Sequence, residues 1–138
     1  MPDQIREIAL KWAQAIESRL PENVVKLYHP DGSLWGTLSP VLRQGHPAIY
    51  EYFVKFLQKE DLRCGFTDGN IRIRDDYAFF SGSYIFTWRA GSKMVEVPAR
   101  FSFVYKKEDG NWLIMEHHSS LFPELPFRIR KYIQKPET

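Results

Sequence analysis

Cysteine is nearly absent from this chain, since Cys64 is the only one. A single cysteine excludes a disulfide within the chain and a zinc site built on paired thiolates. The sequence also lacks a glycine-rich phosphate loop, a serine nucleophile elbow and a cluster of metal-ligating side chains. We therefore predict no metal site, no cofactor and a reducing, cytoplasmic environment.

An excess of one charge and long apolar runs are lacking as well. The 19 Lys and Arg residues nearly balance the 17 Asp and Glu residues, so the net charge of +2 is too small to indicate a nucleic-acid partner. No apolar run approaches the length of a membrane span, and the start at Met1-Pro2-Asp3 is unlike a signal peptide. The sequence thus predicts neither a nucleic-acid nor a membrane partner.

The first part of the chain is predicted to be helical. Asp3 is the expected N-cap of the first helix, Pro21 ends that helix and starts a short second one, and a third begins near His46-Pro47 and ends near residues 59–61. Between the second and third helices, a turn is expected at residues 29–32 and a short strand at 33–37. The first helix has apolar residues at steps of three and four: Ile5, Ile8, Ala9, Trp12, Ala13, Ile16 and Leu20.

The second half of the chain is predicted to form strands, because its aromatic residues alternate with polar ones. Long strands are expected at residues 77–88, 94–106 and 112–121, with Gly82 and Pro98 as candidate bends. Helices followed by hairpin-linked strands predict an α+β fold, with the helices on the concave face of a curved antiparallel sheet. Residues 1–122 are expected to form one domain. Residues 123–138 are expected to form a basic tail that packs on its own or a neighbouring subunit.

Two stretches of the chain resemble a known family. One comprises residues 99–105, the hairpin Asp109-Gly110-Asn111-Trp112 and the ending Glu116-His117-His118-Ser119-Ser120; the other is residues 27–40. Both resemble bacterial relatives of the association domain of calcium/calmodulin-dependent protein kinase two, including SgcJ/EcaC-like proteins, with SnoaL-like cyclases and ketosteroid isomerases as neighbours.

The resemblance implies a cone-like, cystatin-like or nuclear-transport-factor-two-like fold with a pocket between the helices and the sheet. It also implies a homo-oligomer, most simply a dimer formed through the sheet face. The family's histidine in the last strand matches His118, whereas Phe103 stands where the family has a pocket arginine. The fold hosts many functions, so the resemblance implies no single chemistry.

The adjacent histidines His117 and His118 lie in the last predicted strand and must therefore face opposite ways. We predict that His118 faces the pocket together with Glu116 and Ser120, because that set of alternating positions is the more polar one. A histidine there could transfer a proton near neutral pH. The alternative is that His118 only forms hydrogen bonds within the sheet or an interface.

Arg100 and Tyr84 are the other candidate catalytic residues. Arg100 stands among apolar residues of a central strand, where it could hold a ligand carboxylate or enolate, or form an internal ion pair with Glu96, Glu116 or an aspartate. The Tyr84 phenol could donate a hydrogen bond to an oxyanion. Further candidate pocket residues, for which core packing is the alternative, are Tyr28, Trp35 and Phe86.

These residues support three hypotheses. The first is an oligomeric module that binds a small molecule, such as an organic acid or an aromatic metabolite. The second is an isomerase or cyclase that moves a proton next to a carbonyl, using His118 with Arg100 or Tyr84. The third is a module for oligomerisation alone.

Overall fold

The computed structural model describes residues 2–123. Its helices are α1 (Pro2–Ser18), α2 (Pro21–Val25) and α3 (His46–Phe56). Its strands are β1 (Tyr28–Trp35), β2 (Leu42–Gln44), β3 (Glu60–Arg74), β4 (Tyr77–Ala90), β5 (Lys93–Glu108) and β6 (Asn111–Leu121). The predicted α+β fold is confirmed; the basic tail predicted for residues 123–138 lies outside the described residues except for Pro123. Within residues 2–123, no helix has both the length and the apolarity needed to cross a membrane.

The six strands form one curved sheet in the order β2-β1-β6-β5-β4-β3. Neighbours pair antiparallel, as predicted, except that β1 lies parallel to β6. The parallel pair arises because β1 and β6 are not joined by a hairpin. Four strands and α3 separate them in the chain, and a connection of that length can bring a strand back in either direction.

The helices cover one face of the sheet with the apolar stripe that the sequence predicts. Ile5, Trp12 and Ile16 of α1 are fully buried, whereas Leu20, expected on the same stripe, is about half exposed. Asp3 is not the N-cap, because α1 already begins at Pro2 and places Asp3 in its first turn. Arg19, which follows α1, donates from Nε to the carbonyl oxygen of Leu57 at 3.0 Å and so satisfies the carboxyl end of α3.

Bulges interrupt the sheet at four places and increase its bending. Opposite the step from Ser83 to Tyr84, next to Gly82, strand β3 carries one extra residue, Thr67. A Cβ at Gly82 would lie 2.1 Å from the carbonyl oxygen of Asp68. Gly82 is thus a bend position as predicted, whereas the pairing of β4 with β5 runs unbroken through Pro98. A second bulge in β3 lies between Glu60 and Arg63, and the remaining two bulges face each other in β1 and β6.

The facing bulges decide which side chains enter the helix-covered interior. In β1, Tyr28 is paired with Ile114 and Ser33 with Glu116, so the predicted turn at residues 29–32 is instead a wide bulge within the strand. In β6, Ile114 and Glu116 are opposite consecutive residues of β5, which leaves Met115 as an extra residue. The Met115 bulge reverses the alternation of every later side chain in β6.

Candidate functional site

The interior of the fold contains His117, and not His118. Trp112 and Ile114 are buried before the bulge, and His117 and Ser119 are buried after it, whereas Glu116 and His118 are exposed on the other face. The prediction that His118 faces the pocket is therefore wrong. Strict alternation placed His118 with Trp112, and the extra residue at Met115 breaks that alternation.

His117 is held between two tyrosines from different strands. Its Nδ1 lies 2.7 Å from the Tyr28 hydroxyl, and its Nε2 lies 3.1 Å from the Tyr84 hydroxyl. Tyr84 donates to the Ser119 hydroxyl at 2.5 Å, and Ser119 in turn contacts the Thr37 hydroxyl. At the other end, the Trp12 indole donates to the Tyr28 hydroxyl at 3.2 Å. Six side chains thus form one buried hydrogen-bonded chain.

The hydrogen bonds of this buried chain all run in one donor-to-acceptor direction, which assigns the tautomer of His117. Because Tyr84 gives its proton to Ser119, it must accept one from His117, so the proton of the imidazole is on Nε2. Nδ1 is then the acceptor of the Tyr28 proton, and the Tyr28 oxygen accepts from Trp12. Every ring nitrogen and hydroxyl between Trp12 and Ser119 has a partner, so the buried groups are satisfied without water.

Burial determines the protonation states of the side chains in this hydrogen-bonded chain. It lowers the pKa of His117 from 6.5 to about 3, with a smaller contribution from the charge of His118. It also raises the pKa of Tyr28 and of Tyr84 well above the ordinary value, and hydrogen bonds only partly oppose this. Near neutral pH the interior is therefore uncharged, and His117 is a neutral donor and acceptor.

Aromatic rings fill the space around the hydrogen-bonded chain. Phe103, at the position where the resemblance places an arginine, stacks on His117 with ring centroids 4.2 Å apart. The Trp12 ring lies parallel to Tyr84 and edge-on to His117. The remaining cavity, bordered by Thr37, Tyr52 and Ser119 among others, has a volume of about 10 Å³, roughly the room for one water molecule. This cavity is too small for an organic ligand.

The predicted site residues fall on two sides of the sheet. Tyr28, Tyr84 and Phe86 are buried inside, where Phe86 borders the small cavity. Five others share the outer face, which no described helix covers: Trp35, Arg100, Glu116, His118 and Ser120. The predicted pairing of His118 with Tyr84 is therefore wrong, because the sheet separates the two side chains. The alternative partner, Arg100, shares the outer face with His118, and both line one shallow groove there.

Arg100 is exposed and not buried as its apolar neighbours in the sequence suggested. It is paired with Ser83 on one side and Ser120 on the other, and its guanidinium lies 6.0 Å from the ring centroid of Phe122. Within residues 2–123 it forms no ion pair with Glu96, Glu116 or an aspartate. The apolar residues beside it in β5 point to the interior, so Arg100 needs no buried counter-charge.

A groove of about 260 Å³ crosses the outer face. Trp35 is paired with Leu42 and with His118, which in turn is opposite Ser102 of β5. Two residues before His118 in β6, Glu116 lies opposite Val104. The outer groove thus combines an exposed tryptophan and aliphatic side chains with a histidine, a carboxylate and serines.

Sequence and structure comparisons identify the family. The profile of the calcium/calmodulin dependent protein kinase II association domain matches residues 3–123. The chain belongs to this family. No curated protein matches it in sequence.

Solved structures place this association-domain chain among similar folds. A Xanthomonas campestris protein, provisionally described as such an association domain, is 37% identical with a TM-score of 0.83, over 88% of each chain. A Caulobacter vibrioides protein described as cystatin-like is 15% identical with a TM-score of 0.77, over 97% of this chain and 98% of its own. A Streptomyces avermitilis protein, provisionally described as a dehydratase of the nuclear-transport-factor-two-like family, is 14% identical with a TM-score of 0.79, over 87% and 95%. The last two show the fold alone.

Sequence reasoning missed most of the interior chain. Trp12, Thr37, His117 and Ser119 were not predicted as site residues, nor was Tyr52, which borders the cavity. The sequence does place His117 and Ser119 two residues apart, and hence on one side of a strand. What it lacks is a signal for the bulge at Met115, which alone decides that this side faces inward.

Proposed function

We propose that this association-domain chain is a small-molecule-binding module that functions as a homo-oligomer, in which two copies associate through the outer face of the sheet. The observation that carries the proposal is that both faces of the sheet bear large apolar side chains, while the described helices cover only one. On the uncovered face, Trp35 and Leu42 are adjacent and each is more than 40% exposed. Phe79 extends the apolar surface beyond Val104.

The outer face also suits a contact between identical copies. An isologous contact brings the same patch together twice, so opposite charges within the patch can pair across the two-fold axis. Glu116 and Arg100 supply a carboxylate and a guanidinium on neighbouring strands. Several small serines share this face and let two sheets approach closely: Ser33, Ser81, Ser83, Ser102 and Ser120.

An enzyme that uses His118 with Tyr84 has no support in this geometry, because the two residues lie on opposite faces. The interior histidine has both nitrogens engaged and remains neutral, and no carboxylate side chain borders the interior cavity. In the interior, a general base for a carbon-bound proton would have to be one of these groups. Binding without turnover is the simpler role.

The solution mass tests the association directly. Light scattering should give the wild-type chain at least twice its 16.3 kDa. Trp35→Glu should lower the mass to that of a monomer, because it buries a charge in the contact. Tyr50→Glu is the matched control, since Tyr50 is an exposed aromatic residue on α3, away from the sheet. A monomeric wild type, or equal effects of both variants, would contradict the proposed contact.

Thermal denaturation tests the binding part. A panel of organic acids, neutral aromatic metabolites and amines should include compounds that raise the melting temperature, because a ligand of the folded state stabilises it by mass action. A flat response over the whole panel would leave the chain as a module for oligomerisation alone.

A further inference from the structure

A second groove lies at the edge of the fold, between α3 and the segment that joins β1 to β2. Its volume is about 330 Å³, at the lower end of the range for small-molecule sites. Tyr52 and Phe56 of α3 and Leu38, Pro40 and Val41 of the connecting segment supply its apolar lining. We refer to it as the α3 groove; it shares no lining residue with the outer groove described above.

The α3 groove is lined by three cations, Arg43, Lys55 and Lys59. Within residues 2–123, the only carboxylate paired with any of them is that of Glu51, which lies 2.7 Å from Nη1 of Arg43. The Nε–H of Arg43 is shielded from water and has no partner within the same residues. A shielded donor without a partner costs free energy, and the lining of the groove carries three positive charges of which one is paired with a carboxylate.

The lysines are held close to the apolar lining. The Lys59 ammonium lies 5.3 Å from the ring centroid of Phe56 and 5.0 Å from that of Trp88. Lys55, in the last turn of α3, also lines the groove and forms no ion pair within the described residues. Two positive charges therefore stand beside an aromatic surface without a counter-charge from the described part of the chain.

Tyr52 closes the floor of the α3 groove against the interior. It lines both the groove and the small cavity below it, and only 9% of it is exposed. Its ring lies directly over Gly36, where a Cβ would be 2.3 Å from the nearest ring carbon. A ligand in the α3 groove would thus rest on Tyr52 and Phe56 without entering the hydrogen-bonded chain of His117.

We propose that the α3 groove binds a small organic anion that carries an aromatic or branched apolar body. The anionic group would lie among Arg43, Lys55 and Lys59, and the apolar body would cover Tyr52, Phe56 and Leu38. This inference rests on the proposed small-molecule-binding function and names the ligand class and its place. Charge and aromatic surface together specify the class, because either alone would accept many other ligands.

Isothermal titration of the full chain with phenylacetate and phenylacetamide tests the proposal, since the two probes share a body and differ in charge. Phenylacetate should bind about tenfold more tightly than the amide. The double variant Lys55→Gln/Lys59→Gln should weaken phenylacetate binding roughly fivefold to tenfold and leave the amide unchanged. Lys11→Gln, an exposed position on α1, is the control and should change neither.

Three results of these experiments would contradict the proposal. Equal affinities for the two probes, or equal losses in the Lys11→Gln and the double variant, would overturn the proposal. So would the absence of phenylacetate binding by a folded chain, as checked by circular dichroism. These failures are distinct from failure of the proposed function, which requires that the wider thermal panel of neutral and cationic compounds is also flat.

Discussion

The Nδ1 atom of His117 lies 2.7 Å from the hydroxyl oxygen of Tyr28, although 89 residues separate the two in the chain. This contact joins the parallel strands β1 and β6 across their facing bulges. It anchors a buried hydrogen-bonded chain that stays neutral at ordinary pH, and it separates the roles of the two adjacent histidines. The stability of the fold should therefore depend on His117, on its tyrosine partners and on the packing of Tyr52 at the floor of the α3 groove.

The pH dependence of stability should come from His117. Its pKa is about 3 in the folded chain and 6.5 ordinarily, so between these values the unfolded chain binds more protons. The free energy of unfolding then rises with pH in that window and should fall by about 2 kcal/mol from pH 7 to pH 5. Urea unfolding at several pH values measures this.

Variants at the two histidines isolate that effect from the titration of carboxylates. His117→Gln should lose the difference between pH 7 and pH 5, whereas His118→Gln should keep it, because His118 is exposed on the outer face. Equal pH slopes in wild type and His117→Gln would mean that the imidazole is not buried in its neutral form.

Two buried phenols offer a matched pair for the hydrogen-bonded chain. Tyr84→Phe removes the hydroxyl between His117 and Ser119 and should cost about 1–3 kcal/mol, because the buried Nε2–H of His117 then has no acceptor and Ser119 keeps only Thr37 as a partner. The Tyr105 hydroxyl is equally buried but has no partner within residues 2–123, so Tyr105→Phe should be neutral or stabilising. Chemical denaturation ranks the two variants, and a costlier Tyr105→Phe would contradict the assigned network.

Gly36 should be required for the position of Tyr52. Gly36→Ala places a methyl group inside the Tyr52 ring and should cost about 1–3 kcal/mol, whereas Gly65→Ala, with open space around its Cβ, should stay within about 0.5 kcal/mol. In a Tyr52→Ala background most of the cost of Gly36→Ala should vanish, since the two residues are coupled by contact. Additive costs in this double-mutant cycle would show that the strain lies elsewhere.

The sequence predicted the element order because its signals are local. The apolar stripe of α1 and the alternation of β5 follow from residues a few positions apart, and both bury the expected side chains, from Ile5 and Trp12 to Phe101 and Phe103. Gly82 was predicted as a bend for the same reason, since only a glycine admits the approach of Asp68.

The candidate site was predicted less well, because its geometry depends on pairing between distant strands. The residue opposite Met115 is set by how β6 lies against β5 and β1, and no local pattern reports a single unpaired residue. One such residue moved His117 inside and His118 outside. The predicted burial of Arg100 was wrong for a related reason, because its apolar neighbours in the sequence point to the opposite face.

Nuclear magnetic resonance of the ¹⁵N-labelled chain, titrated with phenylacetate, tests binding and its place together. The account predicts that amide resonances of residues 36–43 and 52–59 shift with added ligand and that those of His117 and Ser119 do not. Shifts confined to the outer face around Ser102 and His118, or no shifts at all, would contradict it.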